Sequence, residues 1–291
     1  MQEVLQYIFS GITSGAIYAV IAVGFSMLYN STELINFAHG EFVMLGALSF
    51  VTLSGPFQLP LLPAFILSVA GVAVIGMLFE RLAIRTVRTP NPIVLIIITV
   101  GASIFLKGVG MLIWGKDAHT MPPFSGHPPL DIAGAKLLAQ SLWIVAILFI
   151  TVAGLHLFYK KTLTGKAMEA CAISQKAAWL TGIPSKFMVL LAFGLSTGMG
   201  AVAGVIISPI TMSSYDMGTM LGLKGFCAAM LGGLGSLWGS VIGGLLLGIL
   251  EALGVGLVSS GLKDATAFLL LLFILYVRPS GIIGSVEVER F

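Results

Sequence analysis

Residues 93–114 read IVLIIITVGASIFLKGVGMLIW, an apolar run in which Lys107 is the one charged residue. A helix needs ~20 mostly apolar residues to cross a bilayer, which this run provides. Further apolar runs occupy residues 4–28, 61–82, 137–159, 187–207, 237–258 and 265–277. The sequence therefore predicts an all-α fold, a polytopic transmembrane helical bundle.

The composition of the whole chain agrees with this prediction. Of 291 residues, 57% are hydrophobic and 9% charged, and the mean hydropathy is +1.05, whereas soluble domains carry about 25% charged residues. The net charge of +3 comes from short clusters and not from a basic face, which argues against nucleic acid as a partner. Cys171 and Cys227 are the only cysteines, and they predict no disulfide framework.

Two apolar runs, residues 42–53 and 223–234, are too short to cross the bilayer alone. Each follows a polar stretch, NSTELINFAHGE at 30–41 and SSYDMG at 213–218. We interpret them as broken or re-entrant helices, one in each half of the chain, which brings the expected number of spans to eight or nine. Irregular backbone at membrane depth survives only where protein or a water-filled cavity satisfies it, so both segments point to a solute path. The glycine-rich stretch 232–244 is interpreted as close helix packing.

The distribution of cations predicts the orientation, because cytoplasmic loops are enriched in Lys and Arg. This rule places the segment 160–186 and the C-terminus in the cytoplasm and the loop 115–136 outside, and leaves the N-terminal side open. The clusters are Arg81, Arg85 and Arg88, then Lys160, Lys161, Lys166, Lys176 and Lys186, then Arg278 and Arg290.

The segment 160–186 is too long and too patterned for a turn. Thr164 is a candidate N-cap, residues 167–178 are rich in helix formers, and Gly182 and Pro184 are expected to end the helix. A short surface helix with a partly apolar face can dock in the groove of a soluble partner.

Four motifs carry a resemblance to a known family. EACA at 169–172, followed by GIP at 182–184, resembles the coupling loop of ABC importer permeases. The stretches LINFAHGEFVMLGA at 34–47, AMLGGLGSLWGSVIGG at 229–244 and VRPSG at 277–281 look like signature segments of the high-affinity branched-chain amino acid permease family, the LivH type.

This resemblance implies a single transmembrane permease domain over residues 1–291 in a bacterial inner membrane, carrying branched-chain or related amino acids into the cell. The implied partners are a second related permease, two ATP-binding subunits and an extracytoplasmic substrate-binding protein. The residues expected to couple the chain to the ATPase are Glu169, Ala170, Ala172, Gly182 and Ile183. Other amino acids, urea and short amides remain open as substrates.

The chain is not expected to be an enzyme or to bind ATP itself. The nearest match to a Walker loop, GMLIWGKD at 110–117, has Asp117 where a Ser or Thr must bind magnesium, and no strand precedes it. ATP is therefore expected on the partner subunits, which makes the full complex the ATP-hydrolysing translocase. No catalytic residue, cofactor or metal is predicted. His119, His127, Asp117 and Asp131 lie in one loop, but their spacing fits no zinc pattern.

Charged groups at bilayer depth are costly and suggest function or pairing. The predicted substrate path comprises Asn36, His39 and Glu41 at the start of a broken helix, with Lys107 and Glu251 inside spans. A half-helix N-terminus and a carboxylate would suit a zwitterionic amino acid.

Other interpretations of these residues stay open. His39 and Glu41 could satisfy each other, Lys107 and Glu251 could form pairs that hold the bundle together, and Lys224 could snorkel. The alternative function is an ion-gradient-driven secondary transporter of small solutes, with Glu41 and Glu251 as ion carriers. An intramembrane enzyme lacks support, since no HExxH motif and no catalytic pair within a span occurs.

Overall fold

The computed structural model describes residues 2–87, 91–126, 128–132, 134–257, 259, 261, 263–278 and 280–284. Arg88, His127, Val258, Pro279 and Arg290, which the sequence analysis used, lie outside the described residues. The helices are α1 (Gln2–Thr32), α2 (His39–Ser54), α3 (Leu61–Phe79), α4 (Pro92–Trp114), α5 (Ala139–Lys161), α6 (Leu163–Ile173), α7 (Gln175–Leu180), α8 (Ser185–Ile207), α9 (Met217–Gly232), α10 (Leu237–Leu257) and α11 (Lys263–Val277). A π-helical segment, Glu80–Ile84, extends α3, and strands β1 (Leu130–Ile132) and β2 (Ala135–Leu137) form an antiparallel hairpin.

The predicted polytopic helical bundle is confirmed, but the predicted count of eight or nine spans is not. Within the described residues, six helices are long and apolar enough to cross a membrane, namely α1, α3 with its π-helical extension, α4, α5, α8 and α10. The predicted run 265–277 corresponds to α11, which has 15 residues and is shorter than a full span. The helices α2 and α9 have 16 residues each.

The two ends of the bundle differ in charge and are fixed by contacts of α1. The Gln175 side chain donates a hydrogen bond to the Ser31 carbonyl at 2.9 Å, which places the end of α1 beside the Lys-rich segment. We call this the basic end. At the other end, the Gln6 amide exchanges two hydrogen bonds with the Lys136 backbone, at 2.8 and 3.1 Å. We call this the hairpin end, so α1 runs from the hairpin end to the basic end.

Both short helices begin inside the bundle and run to opposite ends. The helix α2 begins at His39, whose ring lies 4.5 Å from that of Phe25, and reaches the hairpin end, where Trp114 donates to Thr52. The helix α9 ends at the basic end, since Gly235, just after it, lies against Asn30 near the end of α1. These are the half-length helices that the short apolar runs predicted.

The helices α1–α4 and α8–α11 form two inverted repeats. Each set contains a long helix, a half-length helix, a further long helix and a peripheral helix. The start of α1 meets the end of α10 at Tyr7 and Gly256, and Arg85, just after α3, bonds Lys186 at the start of α8, so the two sets run in opposite directions. Matching pairs make matching contacts: α1 packs along α10 as α8 packs along α3, α2 lies on α8 as α9 lies on α1, and α4 touches α2 as α11 touches α9. Inverted repeats of this kind place a solute path at their interface.

Glycines allow the central backbones to approach closely. A methyl group on Gly40 or on Gly218 would overlap the backbone of the other residue, so α2 and α9 cross in contact at their first turns. A methyl group on Gly15 would lie 2.9 Å from the Gly244 carbonyl oxygen, where α1 crosses α10. Within 232–244, Gly239 and Gly243 are packing residues, since methyl groups on them would also overlap the backbone of α9. Gly233 and Gly235 instead form the turn between α9 and α10, with φ of 104° and 88°.

Candidate functional site

The Glu41 side chain joins three helices at the centre of the bundle. It is buried near the start of α2. Its Oε1 atom accepts hydrogen bonds from the Ser103 hydroxyl of α4 at 3.0 Å and from the Thr219 hydroxyl of α9 at 3.1 Å. Its Oε2 atom is buried without a hydrogen-bond partner among the described residues. Glu41 therefore fixes two hydroxyls that lie on different elements.

Asn36 and His39 lie just before Glu41 in the chain, in the turn that leads into α2 and at its first residue. The Asn36 Oδ1 atom accepts a hydrogen bond from the Ala38 amide at 3.0 Å, which stabilises the turn before the helix. His39 is buried against Gly24 and Phe25, and its Nδ1 atom lies 3.4 Å from the Ser196 hydroxyl. His39 and Glu41 thus have separate partners, unlike the alternative in which they satisfy each other.

A cavity of about 330 Å³ lies directly beyond the two hydroxyls. It opens on the side of the chain between α4 and α9, at the level of the middle of α4. Its lining combines hydroxyls, one ammonium and aromatic rings: Phe25, Phe37, Val100, Ser103, Ile104, Lys107, Thr219, Gly222, Leu223 and Phe226.

Lys107 borders this cavity one helical turn after Ser103. Its ammonium lies 5.9 Å from the centre of the Tyr215 ring, within the range of a cation–π contact. No salt bridge is formed by Lys107 among the described residues, so its charge has no carboxylate partner within 4.0 Å there. The cavity therefore presents a positive group along the same helix face as Ser103.

Glu251 belongs to a separate buried cluster between α1, α9, α10 and α11. Its Oε1 atom lies 3.0 Å from the Lys224 ammonium and accepts a hydrogen bond from the Tyr18 hydroxyl at 3.2 Å. Lys224 also pairs with Asp264 at 2.7 Å, and Lys263 lies 3.8 Å from Glu251. Lys224 is thus buried in an ion pair, and the alternative in which it snorkels is wrong. The structure brings Glu41 and Lys107 together but not Glu251.

The basic end carries the candidate coupling segment, which forms two helices and not the one predicted over 167–178. The first cap is Thr162 in place of the predicted Thr164, because the Thr162 hydroxyl accepts from the Gly165 amide at 2.9 Å. Ser174 ends α6 and caps α7 by accepting from the Ala177 amide at 3.2 Å. A serine competes with the helix backbone in this way, which explains the break.

The five predicted coupling residues differ in exposure. Glu169 and Gly182 are exposed, and Gly182 has the positive φ of 88° that favours glycine. Ala170 and Ile183 are half-buried against the bundle. Ala172 borders, with Glu169, a cavity of about 230 Å³ between α6 and the ends of α1, α5 and α10.

The other candidate ligands are dispersed. His119 forms a two-way backbone bridge with Ser213, at 2.8 Å in each direction. In the part of the chain that the structure describes, no group of three His, Cys, Asp or Glu residues is placed to hold a metal ion. Cys171 and Cys227 are buried in different clusters.

Ser103, Thr219 and Phe226 were not predicted from the sequence. Two signals were available for the hydroxyls. Ser103 lies four residues before Lys107 and therefore on the same helix face. Thr219 follows Gly218 as Glu41 follows Gly40, at the same position of the opposite half-length helix.

A family model and several relatives of similar length identify one family. The family model described as the permease component of a branched-chain amino acid transport system matches residues 7–277. The high-affinity branched-chain amino acid transport system permease protein LivH of Escherichia coli (strain K12) is 36% identical over 302 residues, covering 98% of this chain and 97% of the relative. The corresponding permease BraD of Pseudomonas aeruginosa is 35% identical over 301 residues, with coverage of 98% and 97%. A probable LivH of Methanocaldococcus jannaschii is 26% identical over 284 residues, with coverage of 91% and 88%.

Proposed function

The chain belongs to the family of branched-chain amino acid transport permeases, and we propose that it is the membrane subunit of an ATP-driven importer of branched-chain amino acids. It is a multi-pass membrane protein and a transport subunit, not an ATPase by itself. The proposal treats residues 1–291 as one permease domain that binds no ATP. ATP binds instead to two partner subunits, and the full complex hydrolyses it.

The observation that carries this proposal is the exposed apolar surface of α6 and α7. Met168, Cys171 and Ala178 are buried against the bundle, which anchors both helices. Ile173 and Trp179 point away from it, with 88% and 67% of their area exposed. With Leu180, which is 72% exposed, they leave three large apolar side chains uncovered on these two short helices, which suits association with another protein. The occupant that we propose is an ATPase subunit, and its contact includes Glu169, Ala170, Ala172, Gly182 and Ile183.

A groove beside this surface indicates what the partner presents. It is lined by Trp179 with Lys176 and Lys186 and has a volume of about 740 Å³. An apolar body with acidic groups at its edge would complement a groove lined by an indole and two lysine side chains. We therefore expect the ATPase to offer an acidic, partly apolar groove edge here.

The proposed orientation puts the basic end in the cytoplasm. Since α1 runs from the hairpin end to the basic end, the N-terminus and the loop 115–136 are then outside, where an extracytoplasmic binding protein delivers the substrate. Counting α2, α9 and α11 with their connecting segments as crossings gives nine in total and a cytoplasmic C-terminus. Each of these three short helices uses non-helical chain for part of its path.

A second, related permease is proposed to cover the cavity between α4 and α9. A cavity that contains the Lys107 ammonium and two hydroxyls is costly to leave open to lipid. In a pair of permeases it becomes part of an enclosed path between the subunits. Glu41 and Lys107 lie on this path, and Asn36 and His39 support the start of α2. Glu251 does not line the path but pairs with Lys224, which holds α9 against α10.

The alternative, a gradient-driven carrier, has less support from the geometry. Its ion carriers would be Glu41 and Glu251, and Glu251 is already held by Lys224 and Tyr18. A protonophore added without ATP depletion distinguishes the two functions, because it stops a carrier and spares an ATP-driven importer.

The proposal is tested by purifying the complex from native membranes through a tag on this chain. We expect mass spectrometry to find two P-loop ATPase subunits and a second permease, and we expect leucine uptake to require ATP and the binding protein. Glu169→Ala and Gly182→Ala should leave the complex assembled and lower uptake, while Lys166→Ala, an exposed change in α6, should not. Recovery of this chain alone, or normal uptake by both coupling variants, contradicts the proposal.

A further inference from the structure

We propose that this permease has its own binding site for an α-amino acid zwitterion, with the ammonium on the oxygens of Ser103 and Thr219 and the carboxylate on Lys107. This inference rests on the proposed function and adds to it that the membrane subunit selects and orients the solute. It concerns the cavity between α4 and α9.

The direction of two hydrogen bonds carries the argument. A hydroxyl has one hydrogen to donate and two lone pairs to accept. Ser103 and Thr219 both donate to Glu41 Oε1, so their single hydrogens point away from the cavity that they line. Their lone pairs are left for a donor in the cavity. This polarity applies to the ionised Glu41 carboxylate, whose oxygens can only accept.

A primary ammonium fits these two acceptors. It carries three N–H donors and a positive charge, and the Glu41 carboxyl group lies directly behind both hydroxyl oxygens. An anionic or purely accepting group would instead meet lone pairs at this position. The two hydroxyls and Glu41 therefore form the part of the cavity that binds the amino group.

Lys107, one turn further along α4, forms the part of the cavity that binds the carboxylate. Among the described residues its ammonium contacts the Tyr215 ring and forms no salt bridge, although the Glu41 carboxyl group lies close enough to interact with its charge. A substrate carboxylate can therefore form the direct ion pair that Lys107 lacks. Ser103 and Lys107, four residues apart on one helix face, are ~6 Å apart at their Cβ atoms. This separation suits the amino and carboxylate groups of one α-amino acid, with the flexible lysine side chain adjusting the reach.

The remaining wall suits an apolar side chain. Phe226 lies between Phe25 and Phe37, with 5.9 Å between ring centres in each pair. Val100, Ile104 and Leu223 complete the apolar lining. The volume of about 330 Å³ lies at the lower end of the range for small-molecule pockets, roughly 300–1,000 Å³. Small amino acids with apolar side chains match this size and chemistry.

The test measures binding of L-[³H]leucine to the purified, nucleotide-free complex without the binding protein. Competitors are 3-methylbutylamine, which lacks the carboxylate, and 4-methylpentanoate, which lacks the amino group. Ser103→Ala and Thr219→Val should weaken binding of leucine and of the amine about tenfold and leave the carboxylic acid unchanged, since a lost hydrogen bond to a charged group has this magnitude. Lys107→Met should produce the reverse pattern.

Two conservative variants serve as controls. Thr219→Ser keeps the hydroxyl and Lys107→Arg keeps the charge, so both should retain leucine binding. Absence of leucine binding by the wild-type complex, or equal effects of each variant on both competitors, overturns the inference. ATP-driven uptake by the wild-type complex is measured in parallel, so that loss of the binding pattern with intact uptake removes this site and leaves the proposed function standing.

Discussion

The Lys224 ammonium lies 3.0 Å from Glu251 Oε1 in the interior of the bundle, where the two side chains join α9 to α10. Both residues are almost fully buried. A buried charge is costly unless it is paired, and removing one partner leaves the other uncompensated. This pair is therefore a fixed contact of α9, the half-length helix that also carries Thr219.

Lys224→Met is expected to lower the stability of the folded protein by about 3 kcal/mol, because Glu251 then loses its nearest cation. The measurement is thermal unfolding of the detergent-solubilised protein. Lys224→Met combined with Glu251→Leu should recover part of the loss, since no buried charge in the pair is left unmatched. A double variant less stable than Lys224→Met would show that the ion pair is not the source of the effect.

Gly40→Ala is expected to destabilise the protein by about 1–3 kcal/mol, because the added methyl group overlaps the Gly218 backbone where α2 crosses α9. The matched control is Gly101→Ala in α4, where a methyl group meets nothing within 4 Å and the change favours the helix. Thermal unfolding of both variants provides the comparison. Equal stability of the two would contradict the close crossing.

Ile104→Cys is expected to crosslink to the second permease when it is labelled with a benzophenone maleimide and illuminated. Ile104 borders the cavity that the second permease is proposed to cover, and 69% of its area is exposed in the single chain. The native cysteines, Cys171 and Cys227, are buried and should label poorly. The expected result is a crosslinked permease–permease band on a denaturing gel, identified by mass spectrometry.

The control for this crosslink is Ile150→Cys on α5, a residue with the same 69% exposure that does not border the cavity. It should yield lipid adducts only. A permease–permease product from position 150 and none from position 104 would place the interface on the other face of the chain.

Ile173→Asp is expected to reduce recovery of the ATPase subunits with the tagged permease, because it puts a charge at the end of α6 on the proposed docking surface. Leu163→Asp provides the control, since Leu163 is equally exposed at 88% but lies at the start of α6, next to α5. Immunoblots of the purified complexes give the ratio of ATPase to permease. A lower ratio for Leu163→Asp alone would move the docking surface to the other end of α6.

Much of the architecture could be predicted because it depends on local composition. Six of the seven long apolar runs correspond to helices of spanning length, and both short runs correspond to half-length helices. Helical structure within the segment 160–186 was predicted, but its break at Ser174 was not. That error came from a single side chain, since the Ser174 hydroxyl caps a new helix where composition alone favoured continuation.

By itself the sequence determined that the chain is a membrane-spanning helical bundle, because the requirement of the bilayer for apolar, internally hydrogen-bonded segments acts on each stretch separately. Its motifs at 34–47, 229–244 and 277–281 resembled the branched-chain amino acid permease family, which the family model over residues 7–277 shows. Only the tertiary structure decided which polar residues meet. Glu41 finds Ser103 and Thr219 at separations of 62 and 178 residues along the chain, and Lys224 finds Glu251 and not the lipid surface. These pairings depend on which helix faces pack together. The opposite directions of the two repeats set that packing, through contacts between distant parts of the chain.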